Sequence, residues 1–235
     1  MKNELKNLEK VSHWYVSEQV DFDKRLIEFR YRTWKQRLVG PKGLELGPAE
    51  GVMTKFLLDD FDSLTVVDAA SNLLNRIPDA ANLNKVHSLF EDFNPEEKFN
   101  SIILEHILEH VDDPVTLLKR AKDWLLPGGR LYLGVPNGNS FHRLVAVKMG
   151  LLENECQLNN RDLKQGHRRV YTHETFRKDV EASGLRIVEM GGVFFKPLSN
   201  PQIDSDWSDE MIEGFYQLGK DFPEHAADIF CVCSN

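Results

Sequence analysis

Residues 43–51 read GLELGPAEG and give the strongest indication of the fold. The apolar first half is typical of a short buried strand, and the glycines mark a turn into the helical pattern GVMTKFLLDDF at 51–61. Glycine lets the backbone approach a ligand closely, and the amide groups of a helix N-terminus can bind one. The segment therefore predicts a strand–turn–helix unit with a ligand at the turn, with an ordinary tight turn as the alternative.

A second predicted strand, SLTVVDAA at 63–70, has Asp68 near its carboxyl end. An α/β nucleotide site places a carboxylate at this point, about 20 residues after the first glycine, to accept hydrogen bonds from ribose hydroxyls. A terminal aspartate could instead cap the next helix. Because both segments occur in this order and at this spacing, they indicate a binding site more specifically than either does alone.

Strands and helices continue to alternate, which predicts one α/β domain with a mostly parallel sheet and helices on both faces. We expect a helical cap at 1–38, a cofactor-binding core at 39–137, a substrate lid after strand five at 138–171, and the rest of the sheet at 172–235. Further strands are predicted at 85–90, 100–106, 130–137, 185–195 and 227–235. Further helices are predicted at 20–38, at 71–77 with Ser71 or Asn72 as N-cap, at 112–125 and at 172–184.

The overall composition argues against several classes of partner. The net charge is −8 with acidic and basic residues mixed along the chain, whereas nucleic-acid-binding proteins normally present a basic face. No apolar run approaches the roughly 20 residues of a membrane span, and the N-terminus lacks the apolar stretch of a secretion signal. Three cysteines make no disulfide framework, so we expect a cytoplasmic protein. The expected partner is a small-molecule substrate; the oligomeric state is not predicted.

Four segments in this order, ELGPAEG (45–51), VVDAA (66–70), NSIILEHILEHVDDP (100–114) and LLPGGRLYLGVPN (125–137), resemble the class I S-adenosylmethionine-dependent methyltransferases. The chain is most similar to the branch with the ubiquinone-biosynthesis O-methyltransferases and many sugar and natural-product methyltransferases. The similarity resumes more weakly over 167–189. It implies a Rossmann-like, seven-stranded sheet whose last strand is antiparallel, and S-adenosylmethionine as the cofactor.

The resemblance also implies which residues bind the cofactor. The N-terminal helix would fold over it and offer Tyr15 or Arg30 to the methionine carboxylate. Two positions depart from the family pattern: Ala49 replaces its second glycine, and Leu89 replaces an acidic residue that contacts the adenine amine. The other implied residues are Glu45, Gly47, Gly51, Glu105 and His106 for the methionine, Asp68 for the ribose, and Phe90 and Glu91 for the adenine.

The segment HILEH at 106–110 also matches H-x-x-E-H, a pattern of zinc hydrolases. Two histidines four positions apart share one face of a helix, and the glutamate could serve as a base. However, the segment directly follows the predicted strand SIIL and is closed by VDDP, and a zinc-binding helix is ordinarily longer. The methyltransferases that the chain resembles carry a similar L-E-H-V-x-D-P segment without a metal. We therefore expect a packing role beside the cofactor and a metal-independent enzyme.

Methyl transfer is an in-line displacement, and positioning and exclusion of water supply much of its acceleration. A hydroxyl nucleophile generally also needs a base. His167 in GHRRVYT is the predicted catalytic residue, because the family often has a histidine here followed by an aromatic residue. The alternative is a lid histidine that bonds to backbone. Arg168 and Arg169 could bind an anionic substrate or could simply be solvated. Other candidate bases are His142, Tyr171 and His173.

These observations predict methyl transfer to an oxygen or nitrogen of a small polar metabolite, such as a sugar, a sugar phosphate or a related biosynthetic intermediate. One alternative is a relative that binds the cofactor without catalysis. Another is an NAD-dependent oxidoreductase, against which Pro48 and the missing second glycine count. A zinc hydrolase is a third.

Overall fold

The computed structural model describes residues 21–235, in which helices and strands alternate as predicted. Within these residues, no helix is both long enough and apolar enough to span a membrane. The strands are β1 (Lys42–Leu46), β2 (Ser63–Asp68), β3 (Leu83–His87), β4 (Phe99–Glu105), β5 (Leu125–Pro136), β6 (Arg186–Val193) and β7 (Asp228–Ser234). The α-helices are α1 (Asp21–Trp34), α2 (Val52–Leu57), α3 (Ser71–Leu74), α4 (Pro114–Asp123), α5 (Phe141–Lys148), α6 (Asn160–Gln165), α7 (His173–Ala182), α8 (Asn200–Asp206) and α9 (Asp209–Asp221).

The seven strands form one sheet in the order β3-β2-β1-β4-β5-β7-β6. Neighbouring strands are parallel except around β7, which runs antiparallel to both β5 and β6. The predicted Rossmann-like α/β fold is confirmed, including its antiparallel last strand. The strand order reverses between β1 and β4, and open α/β sheets bind ligands at the carboxyl ends of the strands at such a point.

The register of the strands determines which residues meet at this edge. Leu46 of β1 lies opposite Val67 of β2 and Leu104 of β4, so these three strands end side by side. Because β7 runs the other way, its first residue, Asp228, lies opposite Pro136 at the carboxyl end of β5. The antiparallel strand therefore brings an acidic residue from its amino end to the edge where the parallel strands finish.

Apolar side chains cover both faces of the sheet. One cluster packs α4 and α7 against the strands, and a second includes α1, α2, α8 and α9. Helices α8 and α9 are not predicted from the sequence pattern, yet α1 packs against both. The Phe29 and Tyr216 rings stack with centroids 4.6 Å apart, and Thr33 Oγ1 lies 3.1 Å from the Tyr216 hydroxyl. The N-terminal helix is therefore fixed against the C-terminal part of the chain.

The ends of two helices test the capping predictions. Thr172 caps α7 in a capping box, and Gly184 follows that helix with φ +76°, as expected. The N-cap predicted for α3, Ser71 or Asn72, is wrong, because Ala70 occupies that position. Alanine has no side-chain acceptor, so α3 begins without a side-chain cap. The backbone N–H of Ala70 donates to the carboxylate of Asp68 at the end of β2.

Residues 138–171 lie between β5 and α7, where a lid was expected, and contain α5 and α6. Arg143 of α5 is buried, and its guanidinium donates to Asp162 Oδ2 at 3.1 Å and to the Glu155 carbonyl at 3.0 Å. Asp162 Oδ2 also accepts the Asn159 N–H at 2.9 Å in the capping box of α6. The segment is thus tied together around one buried carboxylate.

Candidate active site

The turn from β1 into α2 contains three residues with a left-handed backbone, Gly47, Ala49 and Gly51. Gly47 has φ +67°, and a Cβ added there would lie 2.2 Å from Ile107 Cδ1, so both its conformation and its surroundings require glycine. Ala49 has φ +48°, a region that costs an L-residue about 1–2 kcal/mol. The glycine that the family pattern has at this position would adopt this conformation without strain. Alanine adopts the same turn conformation here, but its backbone is strained.

Asp68 ends β2 with its carboxylate at the same edge of the sheet. Its Oδ1 accepts the Ala70 N–H at 2.8 Å, but Asp68 is not the N-cap of α3, since Ala70 occupies that position. Burial raises the pKa of Asp68 to about 6, although backbone amides, including that of Ala49, act against the shift. A buried carboxylate in this state is stabilised by a ligand that donates hydrogen bonds to it.

Glu45 is buried on β1, and its Oε2 accepts a hydrogen bond from the Thr54 hydroxyl at 2.7 Å. Burial, and to a lesser degree the charges of Asp68 and Glu105, raise the pKa of Glu45 to about 7. The negative charges of the carboxylates at the ends of β1, β2 and β4 therefore repel one another. A ligand with positive groups, such as the ammonium and sulfonium of S-adenosylmethionine, fits this edge because it offsets their repulsion.

A buried group of charges lies beside Glu105. Arg30 of α1 pairs through Nε with Glu105, and through Nη1 with Asp228 Oδ2 at 2.7 Å. His106 Nε2 lies 3.4 Å from both Glu105 Oε1 and Asp228 Oδ1. Burial opposes the charge of Asp228, but Arg30 and His106 hold its pKa well below the usual range. These charges join α1, β4 and β7 next to the carboxylate edge, which is the edge of the sheet that carries Glu45, Asp68 and Glu105.

His106 leaves β4 with φ +52°, and its N–H donates to the Gly134 carbonyl at 3.0 Å. Its ring Nδ1 lies 3.6 Å from Oε1 of the buried Glu109. Burial and Arg30 lower the pKa of His106, but the surrounding carboxylates outweigh them and leave it raised. The ring thus links the buried charges at the end of β4 to the segment that follows.

The predicted base His167 lies in a cluster of polar side chains. Its ring centroid is 4.7 Å from that of His110, and its Nδ1 is 3.5 Å from Asp162 Oδ1. Burial lowers the pKa of His167 to about 4, although the charge of Asp162 opposes the shift. The imidazole is therefore neutral at pH 7, with one nitrogen directed to a carboxylate.

The two arginines after His167 hold the chain in place. Arg169 donates through Nη1 to the Leu108 and Val111 carbonyls, both at 2.6 Å. Arg168 donates through Nε to the His110 carbonyl at 2.6 Å and also pairs with Asp112. Both guanidinium groups therefore have hydrogen-bond partners within the protein, and no anionic substrate is needed to explain their positions. They fix the 138–171 segment against the segment after β4.

The predicted adenine residues lie in the loop after β3. Phe90 is half-buried and packs against the core, and its Cζ would lie 3.5 Å from a Cβ at Gly47. Glu91 is exposed. Glu91 also lines a cleft of about 330 Å³, which runs between this loop and the start of α4 at Asp113 and Thr116.

Residues 18–190 match a family described as methyltransferase domain. This match covers more than half of the chain. The chain belongs to that family. The resemblance to S-adenosylmethionine-dependent methyltransferases, inferred from the motifs, is therefore confirmed.

Two kinds of relative are similar to this methyltransferase. A ubiquinone biosynthesis O-methyltransferase of Coxiella burnetii (strain Dugway 5J108-111) is 22% identical over 182 residues, which is 74% of this chain and 76% of the relative. A chain in the complex between the Haloferax volcanii Trm112 methyltransferase activator and a methyltransferase superposes with a TM-score of 0.65 at 15% identity, covering 96% and 97% of the two chains. The N-methyltransferase NodS of Bradyrhizobium japonicum WM9, in complex with S-adenosyl-L-homocysteine, has a TM-score of 0.59 at 16% identity, covering 99% and 97%. The two structures share its fold.

In this methyltransferase, the predicted cofactor residues are not equally close to the carboxylate edge. Tyr15 lies outside the described residues. Glu91 is at the exposed rim, and His167 belongs to the separate cluster with His110. The residues at or next to the carboxylate edge are Glu45, Gly47, Gly51, Asp68, Phe90, Glu105 and His106, with Arg30 behind Glu105.

Sequence reasoning missed two charged residues of the site. Asp228 is the first residue of β7 and pairs with Arg30. Lys196 follows β6, and burial lowers its pKa to about 8, although Asp23 and Asp228 act in the other direction. In the sequence, each of these two residues is marked as a candidate site residue by one feature alone, its position at the end of an apolar strand. Their positions in the site follow from strand direction and long-range packing.

Proposed function

We propose that this methyltransferase transfers the methyl group of S-adenosylmethionine to an oxygen or nitrogen of a small polar metabolite, such as a sugar, a sugar phosphate or a related intermediate. The observation that carries the proposal is the meeting of Glu45, Asp68 and Glu105 around the Gly47 turn. This edge suits a ligand with ribose hydroxyls and positive groups. The pyrophosphate of NAD would bring negative charge towards it, which disfavours the oxidoreductase alternative.

In this proposal, different residues at the carboxylate edge contact different parts of the cofactor. Glu45, Gly47, Gly51, Glu105 and His106 border the methionine, Asp68 accepts the ribose hydroxyls, and Phe90 and Glu91 border the adenine. Arg30 was expected at the methionine carboxylate, but its guanidinium is engaged by Glu105 and Asp228. We therefore assign Arg30 a positioning role through Glu105, which leaves the methionine carboxylate to the backbone amides of the turn.

S-adenosylmethionine supplies a methyl group on a positively charged sulfur. The residues of the chain hold the donor and acceptor in line and keep water away, which is where most of the acceleration of such a displacement arises. The 138–171 segment, tied together by Arg143 and held to the segment after β4 by Arg169, is the proposed cover over the acceptor. His167 on this segment is the proposed proton acceptor, because its imidazole is neutral and Asp162 orients it.

Basic groups near the buried charges support an anionic acceptor. The ammonium of Lys196 is close enough to Asp228 and Arg30 for their charges to act on its pKa. His142 on α5 is kept neutral because burial, Lys196 and Arg143 lower its pKa to about 3. An anion in this region would offset the repulsion among these groups. We therefore place the charged part of the substrate beside Lys196.

Calorimetric titration of the purified full chain with S-adenosylhomocysteine, with NADH as the control, tests the cofactor. Micromolar binding of the first and none of the second is the expected result. Binding of NADH alone would favour the oxidoreductase. A screen of sugar phosphates with methyl-labelled S-adenosylmethionine then tests turnover, and label transfer to none of them would favour the non-catalytic relative.

A further inference from the structure

Glu109, His110 and His167 each direct a potential ligand atom to one place, and these three atoms lie within 4.8 Å of one another. The first two residues follow β4, and the third comes from the 138–171 segment. We propose that these residues bind a divalent transition cation of the Zn²⁺ type. Two imidazole nitrogens and one carboxylate oxygen are a typical protein ligand set for such an ion, with a coordination position left for water or substrate.

The carboxylate of Glu109 is the strongest evidence for a bound cation. Its side chain is 1% exposed, and neither oxygen accepts a hydrogen bond from another of the described residues. The nearest positive group is His106, whose Nδ1 lies 3.6 Å from Oε1. A buried carboxylate without donors is costly unless an ion or a proton compensates it. A cation between Glu109 and the two imidazoles would supply that compensation.

The two histidines have the surroundings of metal ligands. The Gly166 carbonyl lies within hydrogen-bonding reach of the His110 ring. His167 directs Nδ1 to Asp162, which leaves its other ring nitrogen for a metal. Metal-binding histidines commonly donate the second ring N–H to a carbonyl or a carboxylate, which orients the ring. Each histidine here has one such partner.

The groups around the three residues are held rigidly. Asp162, the partner of His167, also accepts hydrogen bonds from Arg143 and from the Asn159 backbone. Arg169 ties the 138–171 segment to the Leu108 carbonyl, next to Glu109. The two segments that carry the ligand atoms are therefore held next to each other by contacts that do not depend on the ion.

This arrangement differs from the zinc-hydrolase interpretation of H-x-x-E-H. In that pattern both histidines bind from one helix face and the glutamate is the base. Here residues 106–110 form no helix, and Glu109 and His110 join a histidine from another segment. A role for the cation in catalysis rests on the proposed methyl transfer. There, His167 would be a ligand and no longer the proton acceptor: the bound cation would lower the pKa of a substrate hydroxyl, whose proton passes to water while its oxygen forms the new C–O bond and the C–S bond breaks.

Equilibrium titration of the chelator-treated full chain with Zn²⁺, and with Co²⁺ followed by its visible absorption, tests the site. One equivalent of each should bind, whereas Mg²⁺, which prefers oxygen ligands, should bind far more weakly. Glu109→Gln and His167→Gln should each lower the Zn²⁺ affinity by about 100-fold or more. His225→Gln alters an exposed histidine outside the cluster and serves as the matched control, with unchanged affinity expected.

Glu109 and His167 belong to different segments, so the two variants test the site independently of each other. Absence of stoichiometric Zn²⁺ binding by the unaltered chain, or equal affinity in His167→Gln and His225→Gln, would overturn the proposal. S-adenosylhomocysteine titration of the same samples separates the two proposals. If the nucleoside binds and Zn²⁺ does not, the metal site fails alone. If Zn²⁺ binds and the nucleoside does not, the methyl-transfer proposal fails alone.

Discussion

Arg30 Nη1 donates a hydrogen bond of 2.7 Å to Asp228 Oδ2, which connects the first described helix to the start of the last strand. Both side chains are 7% exposed. The same guanidinium pairs with Glu105 at the end of β4. One buried cation therefore compensates two buried carboxylates, and its loss would leave His106, 3.4 Å from each, as their nearest positive group.

Arg30→Met should lower the free energy of unfolding by about 3–5 kcal/mol, because removal of the guanidinium leaves the buried carboxylates of Glu105 and Asp228 without their ion-pair partner. Arg32→Met is the matched control: Arg32 is on the same helix, but its pair with Glu213 is exposed, and such pairs contribute about 0–1 kcal/mol. Urea unfolding of both variants measures the difference. Equal midpoints for the two would show that the buried pair contributes no more than the exposed one.

Gly47→Ala should destabilise the protein and weaken S-adenosylhomocysteine binding. The added Cβ would lie 2.2 Å from Ile107 Cδ1, in addition to the cost of the left-handed backbone. Gly150→Ala separates the two effects, because Gly150 has φ +72° but no described atom within 4 Å of its added Cβ. We expect a loss of about 1–2 kcal/mol for Gly150→Ala and more for Gly47→Ala, as measured by thermal unfolding. The reverse order would contradict the close packing inferred for the turn.

Asp68→Asn should weaken S-adenosylhomocysteine binding by one to two orders of magnitude. A charge-assisted hydrogen bond contributes about 1.5–3 kcal/mol, and asparagine keeps an oxygen for the Ala70 N–H while it removes the charge. Asp62→Asn, at the other end of the same strand and exposed, is the control. Calorimetric titration reports both affinities. An unchanged value for Asp68→Asn would place the ribose elsewhere.

The affinity for S-adenosylhomocysteine should depend on pH because of Glu45 and Asp68. Their pKa values are raised to about 7 and about 6, so both are partly protonated in the free protein between pH 5 and 7. A ligand with an ammonium group favours the charged carboxylates; binding should therefore release protons, and affinity should fall as pH decreases from 8 to 5.5. Titrations in buffers of different ionisation enthalpy measure the released protons. Glu45→Gln should reduce the release, and a pH-independent affinity would rule out the linkage.

Glu109→Gln should stabilise the protein in the presence of a chelator at pH 8. Burial raises the pKa of Glu109 to about 7, so the folded state binds its proton more tightly than the unfolded state, where the ordinary value is 4.5. Stability is therefore lost as pH rises from 4.5 through 7, and glutamine avoids that loss, which is about 3 kcal/mol. Thermal unfolding with and without Zn²⁺ measures the effect. Zn²⁺ should stabilise the unaltered chain but not the variant, and a Zn²⁺ effect retained in Glu109→Gln would contradict the assigned ligand.

Local features of the sequence predicted the sheet and the cofactor edge. The turn at Gly47 and the carboxylate of Asp68 follow directly from short apolar runs that end in characteristic residues. Since the carboxyl ends of parallel strands meet at one edge, Glu45, Asp68 and Glu105 could be placed together without coordinates. Caps such as Thr172 were predictable for the same reason, because capping depends on neighbours a few positions away.

Other features could not be predicted because they join distant parts of the chain. Arg30 was expected at the cofactor, but it reaches Asp228 only because β7 runs antiparallel and presents its amino end there. His167 lies beside His110 and Glu109 through contacts across the 138–171 segment, which no local pattern encodes.

The sequence by itself thus determined the fold class and the turn proposed to face the cofactor, because strand, turn and cap preferences are local. The tertiary structure decided which charges are buried together. Burial depends on strand direction and on packing between segments far apart in the chain, and burial is what shifts the pKa of Glu109 and leaves its oxygens for an ion.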